Sequence, residues 1–149
     1  MHTASSLQVV ALRLTPQQDL KIELDAYVQQ QNLEAACILT CVGSLTQVTL
    51  RQANQSAATV YSGHFEIISL TGVMSKYGSH YHLAVADSAG QTSGGHLLKG
   101  CLIYTTAELV VGLMPQLSFR REPDPTTGFR ELTILPVQPD QSCSARAAL

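Results

Sequence analysis

The sequence predicts an α+β domain, a mostly antiparallel β-sheet or open barrel with one main helix, and three observations predict it. From residue 35 onward, apolar residues recur at every second position through a succession of short stretches. Only one segment, after residue 15, repeats at helical spacing. The connections are short and carry Gly, Asn or Asp, which suits tight turns between antiparallel neighbours. A chain of 149 residues with 45% hydrophobic residues can bury one core of ordinary size. The domain is placed at residues 5–136.

In chain order, LQVVALRL (7–14) alternates and is β-branched, so it reads as a strand with Arg13 near its end. TPQQDLKIELDAYVQQQNLEA follows, with Thr15 as N-cap, Pro16 at the first helical position, and Leu20, Leu24, Tyr27 and Val28 on one helical face. The strand candidates are then AACILTCVG, SLTQVTLRQ, AATVYS, HFEIISLTGVM, HYHLAVAD, TSGGHLL, AELVVGLM, LSFRRE and RELTILP. KGCLIYTTAE fits either a short helix or a crossover loop. The last stretch, VQPDQSCSARAAL (137–149), has little to pack and reads as a disordered tail.

A net charge of −2 and a pI near 6.2 leave no basic excess to attract nucleic acid or an anionic membrane. Tight binding of duplex DNA by this chain alone is not expected. FRREPDPTTGFR gathers Arg120, Arg121 and Arg130 around Glu122 and Asp124, and reads as a turn with self-paired surface charge. MHTASSLQVV has no signal-peptide pattern, and no run approaches the ~18 apolar residues of a membrane helix, so a cytoplasmic location is expected. Cys37, Cys41, Cys101 and Cys143 form neither a disulfide framework nor a CxxC metal ribbon, and read as free, mostly buried thiols.

The chemistry concentrates in GSHYHLAVADSAGQTSGGHLL (78–98). Strand alternation turns His80, His82, Ala84 and Ala86 to one face and Tyr81, Leu83 and Val85 to the other. Asp87 to Gln91 fits a three-residue hairpin loop, a type I turn closed by a left-handed glycine at Gly90. If Asp87 faces Gln91, His82 falls opposite His96 with β-carbons about 4.5–5.5 Å apart, and His80 lies diagonal to His96. A two-residue loop would put His96 on the wrong face. Gly94 and Gly95 would clear space beside His96 and permit a bulge.

Three neutral imidazoles with a vacant fourth position make an open zinc site, suited to polarise a carbonyl or activate water. Iron or nickel would accept the same ligands, but nitrogen-only ligation favours zinc. An HxH pair alone reads more readily as a solvated or core pair than as a ligand pair. The third histidine at matching register favours metal.

GHFEIISLTG, SHYHLAVADSAGQTSGGHLLKG and FRREPDPTTGFREL resemble the plant- and prokaryote-conserved (PPC) domain family over about residues 5 to 136. The resemblance implies an α+β fold on an antiparallel sheet, a homotrimer in prokaryotic members, and a zinc site on the HxH and GGH histidines, here His80, His82 and His96. Plant members carry a basic AT-hook before the domain and act as nuclear assembly modules; the residues before this domain, MHTASS, hold no such hook. The fold is more distantly similar to acetolactate decarboxylase, a zinc enzyme whose metal is also held by three histidines.

Other residues are weighed against plainer roles. Glu66 shares a face with His64 and could serve a nearby metal as general base or hydrogen-bond acceptor, or be half of a surface pair. Arg13 could hold an anionic substrate, or be a solvated strand-end charge. Lys99 follows the GGH segment and could approach a ligand. Two functional classes remain. One is a trimer whose zinc pocket binds or transforms a small oxygenated molecule, in enzymatic form a zinc-dependent lyase or hydrolase. The other is an interaction module that recruits a protein partner, with DNA-linked regulation as a subcase. More apolar strands than one helix can cover also point to self-association.

Overall fold

The computed structural model describes residues 4–137. The predicted tail, with Cys143, lies outside them apart from Val137. In chain order the elements are β1 (Gln8–Leu14), α1 (Leu20–Gln30), β2 (Ala36–Arg51), β3 (Thr59–Ser75), β4 (Gly78–Ala86), β5 (Thr92–Leu97), β6 (Leu102–Leu113), β7 (Leu117–Pro123) and β8 (Arg130–Pro136). One six-stranded sheet runs β1-β6-β2-β3-β4-β5, and β5 returns to pair with β2. All its pairings are antiparallel, as predicted. Strands β2 to β5 form a ring, while β6 and β1 extend the sheet from the rest of the β2 edge. The hairpin β7–β8 stands apart as a second small sheet.

Two strands are longer than predicted. The separate strands expected at 35–43 and 44–52 merge into the single strand β2, and those at 57–62 and 64–74 into β3. Register shifts at Gly43/Leu45 and Leu45/Gln47 bend β2 without ending it. The bend carries its outer edge from β6, where pairing ends at Gln47–Leu102, to β5, met at Leu50–Leu97 and Arg51–His96. KGCLIYTTAE is neither helix nor crossover: from Leu102 it is the first part of β6.

The helix starts later than predicted. Asp19, not Thr15, is the N-cap, its Oδ1 accepting from the backbone N–H groups of Lys21 (3.0 Å) and Ile22 (3.1 Å). Thr15 to Gln18 instead form a turn with Pro16 second and Gln17 at φ 71°, as in a type II turn. Backbone bonds from Gln17 to Ile103 and from Ile103 back to Gln18 hold that turn on β6. Pairing with a distant strand therefore outweighs the local Thr-Pro signal. Leu20, Leu24 and Val28 are buried as predicted, facing β3 and β6, and each contributes roughly 1.5–3 kcal/mol of burial. Leu45, Val48 and Leu50 of β2, Leu83 and Val85 of β4, and Ile103 of β6 complete the core.

Ala35, Leu117 and Phe119 form a second cluster that seats the β7–β8 hairpin, with Val73 and Leu132 against it. Glu34 latches this hairpin, its carboxylate accepting from Ser118 Oγ (2.6 Å), the Tyr77 hydroxyl (3.2 Å) and Lys76 Nζ (2.5 Å), with the Arg120 guanidinium at 3.8 Å. Burial pushes the Glu34 carboxyl up, but these hydrogen bonds and the Lys76 charge outweigh it and hold it below the usual carboxylate range. Cys37, Cys41 and Cys101 are free. Burial pushes the Cys41 thiol up to about 12 and Cys101 to about 11, so neither supplies a thiolate at neutral pH. No helix among the described residues is long and apolar enough to cross a membrane.

Candidate metal centre

The site is built by a turn. Asp87 N–H donates to Gln91 O (3.0 Å), Gly90 N–H donates to Asp87 O (2.9 Å), and Asp87 Oδ1 accepts from Ala89 and Gln91 N–H at 2.9 Å each. Gly90 sits at φ 78°, the left-handed position the three-residue loop requires. From Ala86–Thr92 the register runs without a break to His82–His96, as predicted. The bulge that Gly94 and Gly95 would permit is not formed. Gly95 instead permits a close approach of backbones. A β-carbon there would lie 2.7 Å from Arg51 O, so the missing side chain lets β5 press against β2.

The opposite face fixes β4 in place. Tyr81, Leu83 and Val85 are buried, and Asp25 of α1 accepts from Ser79 Oγ (2.7 Å) and the Tyr81 hydroxyl (3.3 Å). The imidazoles of β4 and β5 are thereby left to converge on the outer face. One nitrogen from each of His80, His82 and His96 lies within 4.8 Å of the others. His80 Nε2 and His96 Nδ1 are 3.1 Å apart, and the ring centroids are separated by 4.9, 5.1 and 4.7 Å. Two nitrogens bound tetrahedrally at about 2.05 Å from one zinc would stand ~3.3 Å apart. The residues present therefore fit a three-histidine cation site, with nitrogen donors only.

Burial and neighbouring charge favour the neutral form of two of these imidazoles, His80 and His96. Burial lowers the pKa of His80, and the charge of Arg121 lowers it further, against a smaller opposing effect of Glu131. At His96 burial again leads, followed by the charge of Arg51. Both imidazoles thus hold their lone pairs available at neutral pH.

Beside His80 and His96 opens a cleft of about 640 Å³. Its walls include Arg51, Arg121, Arg130 and Glu131, with Tyr77 and Phe129. These arginines were not singled out by sequence as site residues. Arg51 stands opposite His96 only because β5 returns to β2, a pairing no local pattern reports. The predicted self-pairing of the 120–130 arginines is not found: Arg120 approaches Glu34, and among the described residues Arg51, Arg121 and Arg130 have no carboxylate within 4.0 Å. Instead the Arg130 guanidinium donates twice to Arg121 O, at 3.0 and 2.6 Å.

The other candidates lie elsewhere. Glu66 is exposed opposite Ala86, four residues along β4 from His82, or about 13 Å at ~3.3 Å per residue. His64, its predicted companion, packs against Tyr104 in a tilted pair, ring centres 4.4 Å apart at 58°. Arg13 stands opposite Glu108 on β6, and its Nε donates to Thr106 Oγ1 (3.1 Å). Neither Glu66, Arg13 nor Lys99 lines the cleft.

Comparison with known proteins agrees with this architecture. The chain is 52% identical over 135 residues to the bifunctional protein GlmU of Synechococcus sp. (strain JA-2-3B'a(2-13)), a match covering 91% of this chain and 21% of that protein. It thus spans about a fifth of the length of the curated relatives it matches first. A hypothetical protein from Salmonella enterica has the same fold at TM-score 0.89 and 48% identity, covering 91% of this chain and 99% of its own. A metal-containing protein from Archaeoglobus fulgidus shares the fold at TM-score 0.74 and 22% identity, covering 89% and 99%. The model of one domain family matches residues 1–115, from the first strand through β6 and so across all three histidines. By that match the chain belongs to the Plants and Prokaryotes Conserved (PCC) domain family.

Proposed function

We propose that this chain is a metal-dependent protein that binds or transforms a small oxygenated molecule, with zinc held by His80, His82 and His96. The observation that carries this reading is the convergence of three imidazole nitrogens within 4.8 Å, with His80 and His96 in the wall of an open cleft. The donor set favours zinc, and the A. fulgidus fold relative is itself described as metal-containing. When bound by these three imidazoles, such an ion would supply Lewis-acid polarisation of a carbonyl, or a water acidic enough to ionise near pH ~7. The chain's own residues hold that ion and shape the approach to it. A zinc-dependent lyase or hydrolase is the enzymatic form of the proposal. Elemental analysis of protein purified without chelator should return about one divalent ion per chain. Protein that is metal-free, and stays so after dialysis against zinc, would overturn the reading.

We also propose that copies assemble into a trimer through the outer face of β1, β6 and β2. Leu7, Val9, Leu39 and Val42 are 54%, 57%, 47% and 56% exposed there, an unusual concentration of apolar surface. Light scattering should return about three times 16.0 kDa. The same face supports a second reading, an interaction module whose partner is another protein. A monomer at micromolar concentration that lacks metal would favour that alternative.

A further inference from the structure

We propose that the cleft beside the histidines is a receptor for a small organic anion, a carboxylate or phosphate monoester with an aromatic or otherwise apolar body, its charged group seated between Arg51 and Arg121. This rests on the metal reading for its reaction but not for its binding. A volume of about 640 Å³ suits a small molecule rather than a bare ion.

The charge of the cleft is unbalanced. Three guanidiniums, Arg51, Arg121 and Arg130, face one carboxylate, Glu131, which leaves two positive charges in excess while the histidines are neutral. Arg51 and Arg121 are half-buried, where an unpaired charge is more costly than at an exposed position. Their guanidiniums are also largely uncommitted. Arg51 donates only to Gln55 O, at 3.3 Å, and Arg121 donates no side-chain hydrogen bond among the described residues. Such forks suit the paired oxygens of a carboxylate or phosphate.

The histidines add to the same demand. Three neutral imidazoles would leave a bound divalent ion with its whole charge beside these arginines. An anion that spans guanidinium and metal answers both. The apolar requirement comes from Phe129, which is 74% exposed at the cleft. Tyr77 already carries two cations, Arg120 at 3.3 Å and Lys76 at 5.3 Å from its ring centre, and is less exposed, so Phe129 is the ring more open to a ligand's apolar body.

The test is calorimetric titration of the intact chain, its metal content measured on the same samples, with benzoylformate, its uncharged amide and phenyl phosphate. Benzoylformate or phenyl phosphate should bind at least about tenfold more tightly than the amide, and whichever anion is preferred identifies the charged group. Arg121→Gln, and separately Arg51→Gln, should weaken the anion by a similar factor in folded protein with unchanged metal content. Lys99→Gln, outside the cleft, should change nothing. Equal affinity for acid and amide, no binding of either anion, or insensitivity to both arginine variants would overturn the proposal. If metal is bound but the anions are not preferred, the receptor fails and the metal reading stands. If metal is absent yet arginine-dependent anion binding persists, the receptor stands and the metal reading fails.

Discussion

His82→Ala is expected to yield a folded chain that has lost its metal. The side chain is exposed and its ring stands 4.9 and 4.7 Å from those of His80 and His96, so its removal takes one of three ligands and leaves no core cavity. Two neutral imidazoles do not hold zinc against chelator or buffer, and occupancy should fall from about one ion per chain to below ~0.1. The metal-free fold should be hardly affected, since a surface substitution away from special features changes the stability of the metal-free chain by about 0.5 kcal/mol or less. Elemental analysis with circular dichroism checks both halves. A folded variant that keeps full occupancy removes His82, and with it the three-histidine assignment.

Gly95→Ala should damage fold and site together. A β-carbon at this position meets Arg51 O at 2.7 Å and Arg51 C at 3.1 Å, and backbone atoms cannot rotate away as a side-chain tip can. Either β5 moves off β2 or β2 distorts, and His96 is the next residue along. Overpacking of this kind costs about 1–3 kcal/mol, which at this chain length lowers Tm by roughly 2–12 °C. Zinc affinity should fall as well, because His96 shifts against the β4 pair. Gly94→Ala is the internal control: its added carbon meets Leu83 O at 3.2 Å and Ala84 Cβ at 3.5 Å, so its loss should be smaller. Thermal melts and zinc titration of both variants decide the point. A Gly95→Ala protein that melts and binds zinc like the parent would mean that β5 does not need this close approach.

What could be read from sequence was what short-range rules decide. The turn at Asp87–Gly90 has its own chemistry, and with strand parity it determines which residues face His96; convergence of His80, His82 and His96 was legible from one hairpin. Thr15 misled because it carries a sound local cap signal, while the choice between Thr15 and Asp19 is made by Ile103, more than eighty residues away. KGCLIYTTAE was undecidable for the same reason, its partners being the bent middle of β2 and the turn before α1. The arginines of the cleft were hidden differently. Arg121 and Arg130 look balanced by Glu122 and Asp124 along the chain, but the β7–β8 hairpin and the Glu34 latch place them against His80 instead.

The return of β5 to β2 is a short ladder of two residue pairs, Leu50–Leu97 and Arg51–His96, with one more backbone bond from Leu98 N–H to Thr49 O (3.1 Å), and the second pair contains a proposed metal ligand. Occupation of the site by an ion and closure of the ring would therefore be two faces of one equilibrium. An ion that prefers the closed arrangement shifts the population toward it by mass action, by about 2.7 kcal/mol at a hundredfold excess over its dissociation constant. By reciprocity, anything that holds the seam shut tightens the grip on the ion by the same factor. The shortest ladder of the ring is thus the place where a bound cation would do most to stabilise the whole domain.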